Sequence, residues 1–322
     1  MNTTTMNPTF DTLRDDCQLT LDRLLAAAGA GLTAPTVMAL IERAEAWRRA
    51  APQAWRTLVS EVMAPHPLSA LVARCPMTAR ARDKPRGYAG DAVMLDYIYD
   101  RENVATLQLS GDERAVFRTV AESPTCASVD YRRQLIAQRI DTLAARGPLQ
   151  LLSLACGHAR ELDLSAALRE GAVTRAVMCD QDSHSLEELA RRHAARAAVQ
   201  TRPLTVRQFL ARGSEVTALG AFDFVYSAGL YDYLDQRCAQ RLTRCLFERV
   251  APGGQLLLAN FHPANRGTGY MEAFMDWWLI YRDEAQMQDL CAEISPSELV
   301  ACEIECDPFG NVVYLSLTRR AA

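Results

Sequence analysis

Lysine is almost missing from this chain: Lys84 is the single one, and the remaining cations among the 35 Lys and Arg residues are arginine. Net charge is −4 and no basic stripe runs along the sequence, so a nucleic-acid partner is not expected. Long apolar runs are lacking too. No stretch reaches the roughly 18 residues that span a bilayer; residues 24–41 are interrupted by glycines and Pro35 and read as two helices meeting. The ten cysteines include no C-x-x-C pair and no Cys/His spacing suited to zinc, so no metal is expected. Cys156, Cys179 and Cys245 lie in apolar runs, where a reduced thiol packs as a small hydrophobe, and this points to a reducing, cytoplasmic setting. The first residues are polar and acidic, unlike a signal peptide. Internal repeats and low-complexity tracts are absent, and oligomeric state is not legible.

What is present suits one large domain plus an appendage, or two domains: 322 residues, 49% of them hydrophobic. Apolar residues recur at helical spacing over 10–29 (Leu13, Cys17, Leu21, Leu24, Leu25) and 35–49 (Val37, Leu40, Ile41, Ala44, Trp47). Further helices are expected at 54–63, 66–75, 112–121 and 128–145, the last stopped by Gly147-Pro148. One segment interrupts them. In 83–91, DKPRGYAGD, Pro85, Gly87 and Gly90 forbid a regular helix, and Asp91 is placed to cap the helix that follows. By composition this loop is either a connector or a ligand contact.

From residue 149 strands and helices alternate, which predicts a parallel sheet covered on both faces. Strands are expected at 149–154, 174–179, 201–206, 222–227 and 255–260, with a closing pair at 299–305 and 311–318. Helices are expected at 161–169, 183–196, 235–250 and, rich in Met and Trp, 269–290. The expected division is a helical domain, 1–125, and an α/β domain, 126–322.

The chemistry gathers at 149–161, LQLLSLACGHARE. An apolar strand ends at Ala155, Cys156 and Gly157, and a helix begins near Glu161. That geometry presents backbone amides at the end of a parallel strand, where nucleotide-like ligands bind. Gly157 is the only glycine in the turn, so this is not G-x-G-x-x-G, and no Gly-Lys-Ser/Thr follows as in a P-loop. Asp180, with Gln181 after it, closes the second apolar run, where an acid can accept from both ribose hydroxyls.

Taken in order, the small-residue loop, the acid after strand two, the segment FDFVYSAGLYDYL (222–234) and the PGG turn before strand five resemble a class I S-adenosylmethionine (SAM)-dependent methyltransferase. The stretches KPRGYAGD (84–91), SLACGxARE (153–161), SAGLYDYL (227–234) and NFHP (260–263) resemble a bacterial family that makes 3-hydroxypalmitic acid methyl ester, an extracellular signalling factor. The resemblance implies a seven-stranded Rossmann-like sheet with an antiparallel edge, a helical lid over its C-terminal edge, and SAM as cofactor. It also implies methylation of a small or lipid-like acid, with a 3-hydroxy fatty acid as the named acceptor. Another small metabolite methylated on O, N or S, or a non-catalytic SAM-binding protein, is the alternative.

Residue by residue, the resemblance places Tyr88, Ala155, Cys156, Gly157, Asp180, Gln181, Ser227 and Ala228 at the cofactor, and Arg207, Gln208 and Phe209 near its adenine. Ser153 stands where such enzymes carry the strand acid that helps hold the cofactor's amino group; Glu161 or backbone carbonyls around Ala155 are left to do so. Tyr88 and Tyr231 are candidates to line the methyl-transfer pocket, where an aromatic face attracts a sulfonium cation. His262 and Asp91 are candidate bases. Lys84, Arg86, Tyr233, Asn260 and Trp277 are candidate acceptor contacts.

Overall fold

The structure is a computed structural model describing residues 10–100 and 107–321. It divides into two compact units: Met1–Ala127 with Arg266–Trp278, and Ser128–Asn265 with Leu279–Ala322.

The first unit is helical. Phe10–Ala27 buries Leu13, Cys17 and Leu21, the heptad-like stripe of its sequence. Ala34–Ala50 follows, capped by the Thr33 side chain and begun by Pro35, and buries Val37, Leu40, Ala44 and Trp47. Between them Gly31 takes a φ of 111°, and the next amide, on Leu32, donates to Asp112 Oδ1 at 2.7 Å. Trp55–Leu58 runs into a π-helical turn, Val59–Met63. Pro67–Val72 and Pro76–Asp83 each open on a proline. Ala92–Tyr99 is capped by the Asp91 side chain, and Gly111–Ala121 by a Ser110–Glu113 capping box. Residues 266–278, read from sequence as part of the α/β domain, belong to this unit. Their short helix, Thr268–Phe274, lies against Ala34–Ala50: the Gly269 amide donates to Glu45 Oε2 at 2.9 Å, and Glu272 accepts from Arg48 and from Trp55, each at 2.7 Å.

The second unit holds one seven-stranded sheet, as expected. In chain order its strands are β1 Leu149–Leu154, β2 Val173–Cys179, β3 Val199–Arg202, β4 Phe222–Ser227, β5 Val250–Phe261, β6 Leu299–Cys306 and β7 Val312–Arg319. Their order across the sheet is β3-β2-β1-β4-β5-β7-β6, and β7 alone runs antiparallel to its neighbours. The order reverses between β1 and β4, a topological switch point, and ligands of open α/β sheets bind outside the carboxyl ends of such strands. One face packs Leu152, Val177, Val225 and Leu256 against Leu242 and Leu246 of Gln236–Phe247. On the opposite face Arg139, from Pro124–Ala144, reaches Gln255 at 3.2 Å. The PGG segment, expected as a turn before this strand, lies within β5 where its register against β4 shifts, and Gly254 allows the close approach: a Cβ there would meet the Asp223 carbonyl oxygen at 2.8 Å. Among the described residues no helix is long and apolar enough to cross a membrane.

Other elements differ from the sequence reading, among them the helix expected at 161–169, which is two short ones, Glu161–Leu164 and Ala166–Arg169. Of the strand expected at 201–206 only residues 201–202 are extended, as the end of β3; Thr205 and Gln208 form a capping box that starts the helix Val206–Ala211. The expected 269–290 helix is two short ones, Thr268–Phe274 and Glu284–Gln288. The chain passes from one unit to the other between them, and Asp276 turns to a φ of 47°. Apolar periodicity reports a buried stripe and is blind to the chain leaving one core for another.

Gly269 tests the helix contact. In a helix, alanine would be favoured over glycine by about 1 kcal/mol. Here a Cβ would fall 2.5 Å from the Ala44 carbonyl carbon and from the Glu45 nitrogen, both backbone atoms. Gly269→Ala should therefore lower unfolding stability by about 1–3 kcal/mol in urea titrations. An unchanged or raised midpoint would show that the two backbones do not approach.

Candidate functional site

The loop after β1 has an unusual backbone. Ala155, Gly157 and Ala159 take φ values of 55°, 54° and 46°, three left-handed residues in five. For alanine that conformation is disfavoured, and such residues persist where surrounding bonds hold them. Here the Cys156 amide donates to the Cys179 carbonyl at 3.1 Å, and the Ala159 amide to the Cys156 carbonyl at 2.9 Å. The Gly157 amide donates to Asp180 Oδ2 at 2.7 Å.

Asp180 is thus the partner that fixes the loop. Its other oxygen, Oδ1, accepts from the Asp182 amide at 2.9 Å. The next helix, Ser183–Arg192, is capped by Asp182 and not by Asp180. A carboxylate offers about four lone-pair sites, so two amides leave Asp180 able to accept from ligand hydroxyls. Burial pushes the Asp180 pKa up, against its backbone hydrogen bonds, which pull it down. Gln181 is exposed beside it.

A second carboxylate, Glu161, opens the helix Glu161–Leu164. It is only 8% exposed, and its Oε1 accepts from the Tyr226 hydroxyl of β4 at 2.7 Å. Burial raises the pKa of Glu161, and that of Tyr226 goes well above its ordinary value. The Cys156 thiol is likewise pushed well up, by desolvation and then by Asp180, Cys179 and Glu161. A thiol held protonated beside carboxylates is no nucleophile. Two carboxylates beside a left-handed loop at the switch point suit a ligand bearing hydroxyls and positive charge.

After β4, Ser227 is buried, its hydroxyl donating to the Leu154 carbonyl at 2.9 Å. The Ala228 carbonyl accepts from Arg132, a buried arginine that sequence reasoning passed over. Beyond it the wall is built around Arg282, 1% exposed and also missed. Its guanidinium donates to the Tyr231 carbonyl and Asn260 Oδ1, each at 2.7 Å, to the Leu234 carbonyl at 2.6 Å, and to Gln236 Oε1 at 2.8 Å. Asp232, 3% exposed, accepts from the Phe261 amide at 2.6 Å. No sequence signal separates Arg282 from the other arginines.

Several expected contacts have other partners. Tyr231 is wholly buried, with its hydroxyl on Thr243 at 3.1 Å, a core position and not a pocket wall. Asn260 is fully buried and bonded to Arg282 and to the Ile280 carbonyl. Phe209 lies in the core, and the Gln208 amide is engaged by Thr205 and Glu215, because the capping box turned this segment into a helix; Arg207 is exposed on that helix. His262 Nδ1 accepts the Ala264 amide at 3.1 Å, which leaves the proton on Nε2, facing Glu284 Oε2 at 3.3 Å. Asp91 has both oxygens on Arg80, at 2.8 and 2.7 Å, besides its cap bond. Neither is poised as a base. Within the helical unit, Lys84 pairs with Asp276, Arg86 and Tyr88 are half-buried, and Trp277 is 7% exposed with its amide on the Met271 carbonyl. Tyr233 is 38% exposed. Among the described residues no group of three or more His, Cys, Asp or Glu could hold a metal ion.

No family model matches the sequence, and no curated protein does. Among solved structures the chain is similar to a possible exported protein from Bordetella parapertussis, at 16% identity over 79% of this chain and 97% of that one, with a TM-score of 0.54. It is also similar to an O-methyltransferase family protein from Burkholderia thailandensis, at 17% identity over 73% of each chain, TM-score 0.47. A third is the N-methyltransferase NodS from Bradyrhizobium japonicum WM9 in complex with S-adenosyl-L-homocysteine, at 14% identity over 70% of this chain and 99% of that one, TM-score 0.43. At these identities the likeness is one of fold, a Rossmann-like sheet covered by helices.

Asp232 supplies a test of the wall. Desolvation, only partly offset by its bond to the Phe261 amide and by Arg132 and Arg282, pushes its pKa from 3.8 up to about 6. Between those values the folded chain binds more protons than the unfolded one, so this group's contribution to stability falls as pH rises. Asp232→Asn keeps an acceptor without the charge. Relative to wild type it should gain on the order of 1–3 kcal/mol between pH 4 and pH 8. Denaturant titrations giving the same difference at both pH values would remove the buried charge from the account.

Proposed function

We propose that this chain is a SAM-dependent methyltransferase acting on a small or lipid-like acid, converting the carboxylate of a long-chain 3-hydroxy acid to its methyl ester in a reducing, cytoplasmic setting. The observation that carries the reading is the pair of buried carboxylates, Asp180 and Glu161, flanking a left-handed loop at the β1/β4 switch point. Asp180 would accept from the ribose hydroxyls, and the loop amides and Gly157 would let the ligand approach the backbone closely. When bound, SAM supplies an electrophilic methyl group on a sulfonium.

The protein's remaining work is alignment and exclusion of water. A carboxylate acceptor is ionised at neutral pH and needs no base. That choice is supported by His262 and Asp91, whose acceptor atoms are already engaged. A hydroxyl acceptor would require one of them to be free.

Calorimetry should show SAM and S-adenosylhomocysteine binding, and Asp180→Ala should weaken both by about 1–3 kcal/mol, the cost of unpaired hydroxyls. With methyl-labelled SAM and 3-hydroxypalmitate, label should enter a base-labile product, and the corresponding amide should accept none. A base-stable ether would move the reaction to the hydroxyl. Tight binding without turnover on any acid would leave a SAM-binding protein, and no binding would end the reading.

A further inference from the structure

The helix Glu284–Gln288 runs on into a single turn, Asp289–Cys291, and the strand at the sheet edge is β6. Cys291 is 8% exposed and belongs to the apolar core under Gln236–Phe247; Cys302 of β6 is half-buried against the same core. Their sulfurs stand 3.9 Å apart, thiol against thiol, on residues eleven positions apart in the chain.

Gln288 organises the polar side of this pair. Its amide nitrogen donates to Cys302 Sγ at 3.4 Å, and its amide oxygen lies 3.5 Å from the same sulfur, placed to accept a thiol proton. The turn is tied from its other side, where Asp289 Oδ2 accepts from Gln236 at 3.0 Å and from Gln240 at 2.9 Å. The hydrogen bond with Cys291 pulls the pKa of Cys302 below that of an ordinary thiol; desolvation and Glu303 oppose it, and Gln288 assists it. Cys291 moves the other way, raised by the same bond, by desolvation and by Asp289. One sulfur is prepared as thiolate and its neighbour holds the proton, the division that thiol–disulfide chemistry uses. Cys306, four residues along β6, is the contrast. It is exposed, yet desolvation and Glu284, which its thiol meets at 3.3 Å, push it up to about 11.

We propose that Cys291 and Cys302 form a redox modification site whose substrate is a peroxide and whose product is a disulfide that fastens the Asp289–Cys291 turn to β6. The Cys302 thiolate attacks one oxygen of hydrogen peroxide. The O–O bond breaks, the sulfur keeps that oxygen as a sulfenic acid, and the other leaves as hydroxide and takes a proton to become water. The Cys291 sulfur then attacks the Cys302 sulfur; the S–S bond forms, the S–O bond breaks, and the hydroxyl leaves with the Cys291 proton as water. Two thiols lose two electrons and one peroxide becomes two waters. A dithiol reductant restores the pair by exchange, the transient use that cysteine pairs have in a reducing compartment. The sulfurs must close to about 2.05 Å, and an edge strand paired on one side only can make that shift. The site is independent of the SAM reading.

The test uses the whole reduced chain at pH 7. Before oxidation, iodoacetamide should label Cys302 about tenfold faster than the more exposed Cys306. A small excess of hydrogen peroxide should lower the thiol count, titrated after denaturation, from ten to eight. Peptide mapping should find residues 291 and 302 joined, and dithiothreitol should separate them. The oxidised chain should melt higher, on the order of 2–6 °C, because a short loop is closed. In Cys291→Ala, dimedone should trap Cys302 as its sulfenic acid and the melting temperature should not rise with peroxide; Cys302→Ala should give neither adduct nor disulfide. The wild-type peptide map decides the matter even where substitution of the buried Cys291 impairs folding. Faster labelling of Cys306, a disulfide between other residues, or Cys302 oxidised to sulfinic acid beside a reduced Cys291 overturns the proposal. A linked chain that melts no higher than the reduced one overturns the fastening.

Discussion

The bond from the Gly157 amide to the Asp180 carboxylate joins the end of β2 to the loop after β1. Much of the candidate site depends on it. It places a left-handed glycine between two left-handed alanines, and it keeps the acid from capping its own helix, a task Asp182 performs. A buried carboxylate is costly unless its lone pairs are met. The loop amides meet them in part, so the same atoms that stabilise the turn prepare an acceptor for hydroxyls. Fold and site are here one electrostatic arrangement.

The sheet was legible because β1, β2, β4 and β7 are buried along most of their length and read as short apolar runs bounded by turns. β1 and β4 fall at the expected residues, and the β6–β7 pair follows from the Asp307–Gly310 turn, where Gly310 takes a φ of 70°. Asp180 was legible for the same reason: it is the first polar residue after a run. Residues 205–209 were not, because a capping box is local side-chain chemistry that outweighed a weak strand pattern. The 266–278 excursion was also hidden, since membership of one core or another is a tertiary property.

The wall beyond β4 shows a different limit. Tyr231 and Asn260 look like site residues in a sequence because polar and aromatic groups cluster there, with Asp232 between them in the fold. Their partners make them supports: Tyr231 on Thr243, Asp232 on the Phe261 amide, and Asn260 on Arg282. Arg282 binds carbonyls, an amide and Asn260, so its charge is distributed over dipoles, and burial lowers its pKa accordingly. Removing any one partner would leave buried polar groups unmet, at about 1–3 kcal/mol each. Residue type announces such a network without saying which way each side chain points.

The same switch point serves dinucleotide folds, and the difference lies in charge. A pyrophosphate needs glycines that let backbone approach it, a helix N-terminus and no competing anions. Here Ala155 and Ala159 keep their Cβ atoms at positive φ, and two carboxylates border the loop. An anionic ligand would meet Asp180 and Glu161 at close range in a desolvated space, where like charges repel far more strongly than in water. A ligand with neutral ribose hydroxyls, an ammonium and a sulfonium meets complementary groups instead. On the methyl-transfer reading proposed above, the candidate bases are engaged elsewhere, and the acceptor has to arrive with its nucleophile already ionised. A carboxylic acid at neutral pH meets that requirement without help from the protein.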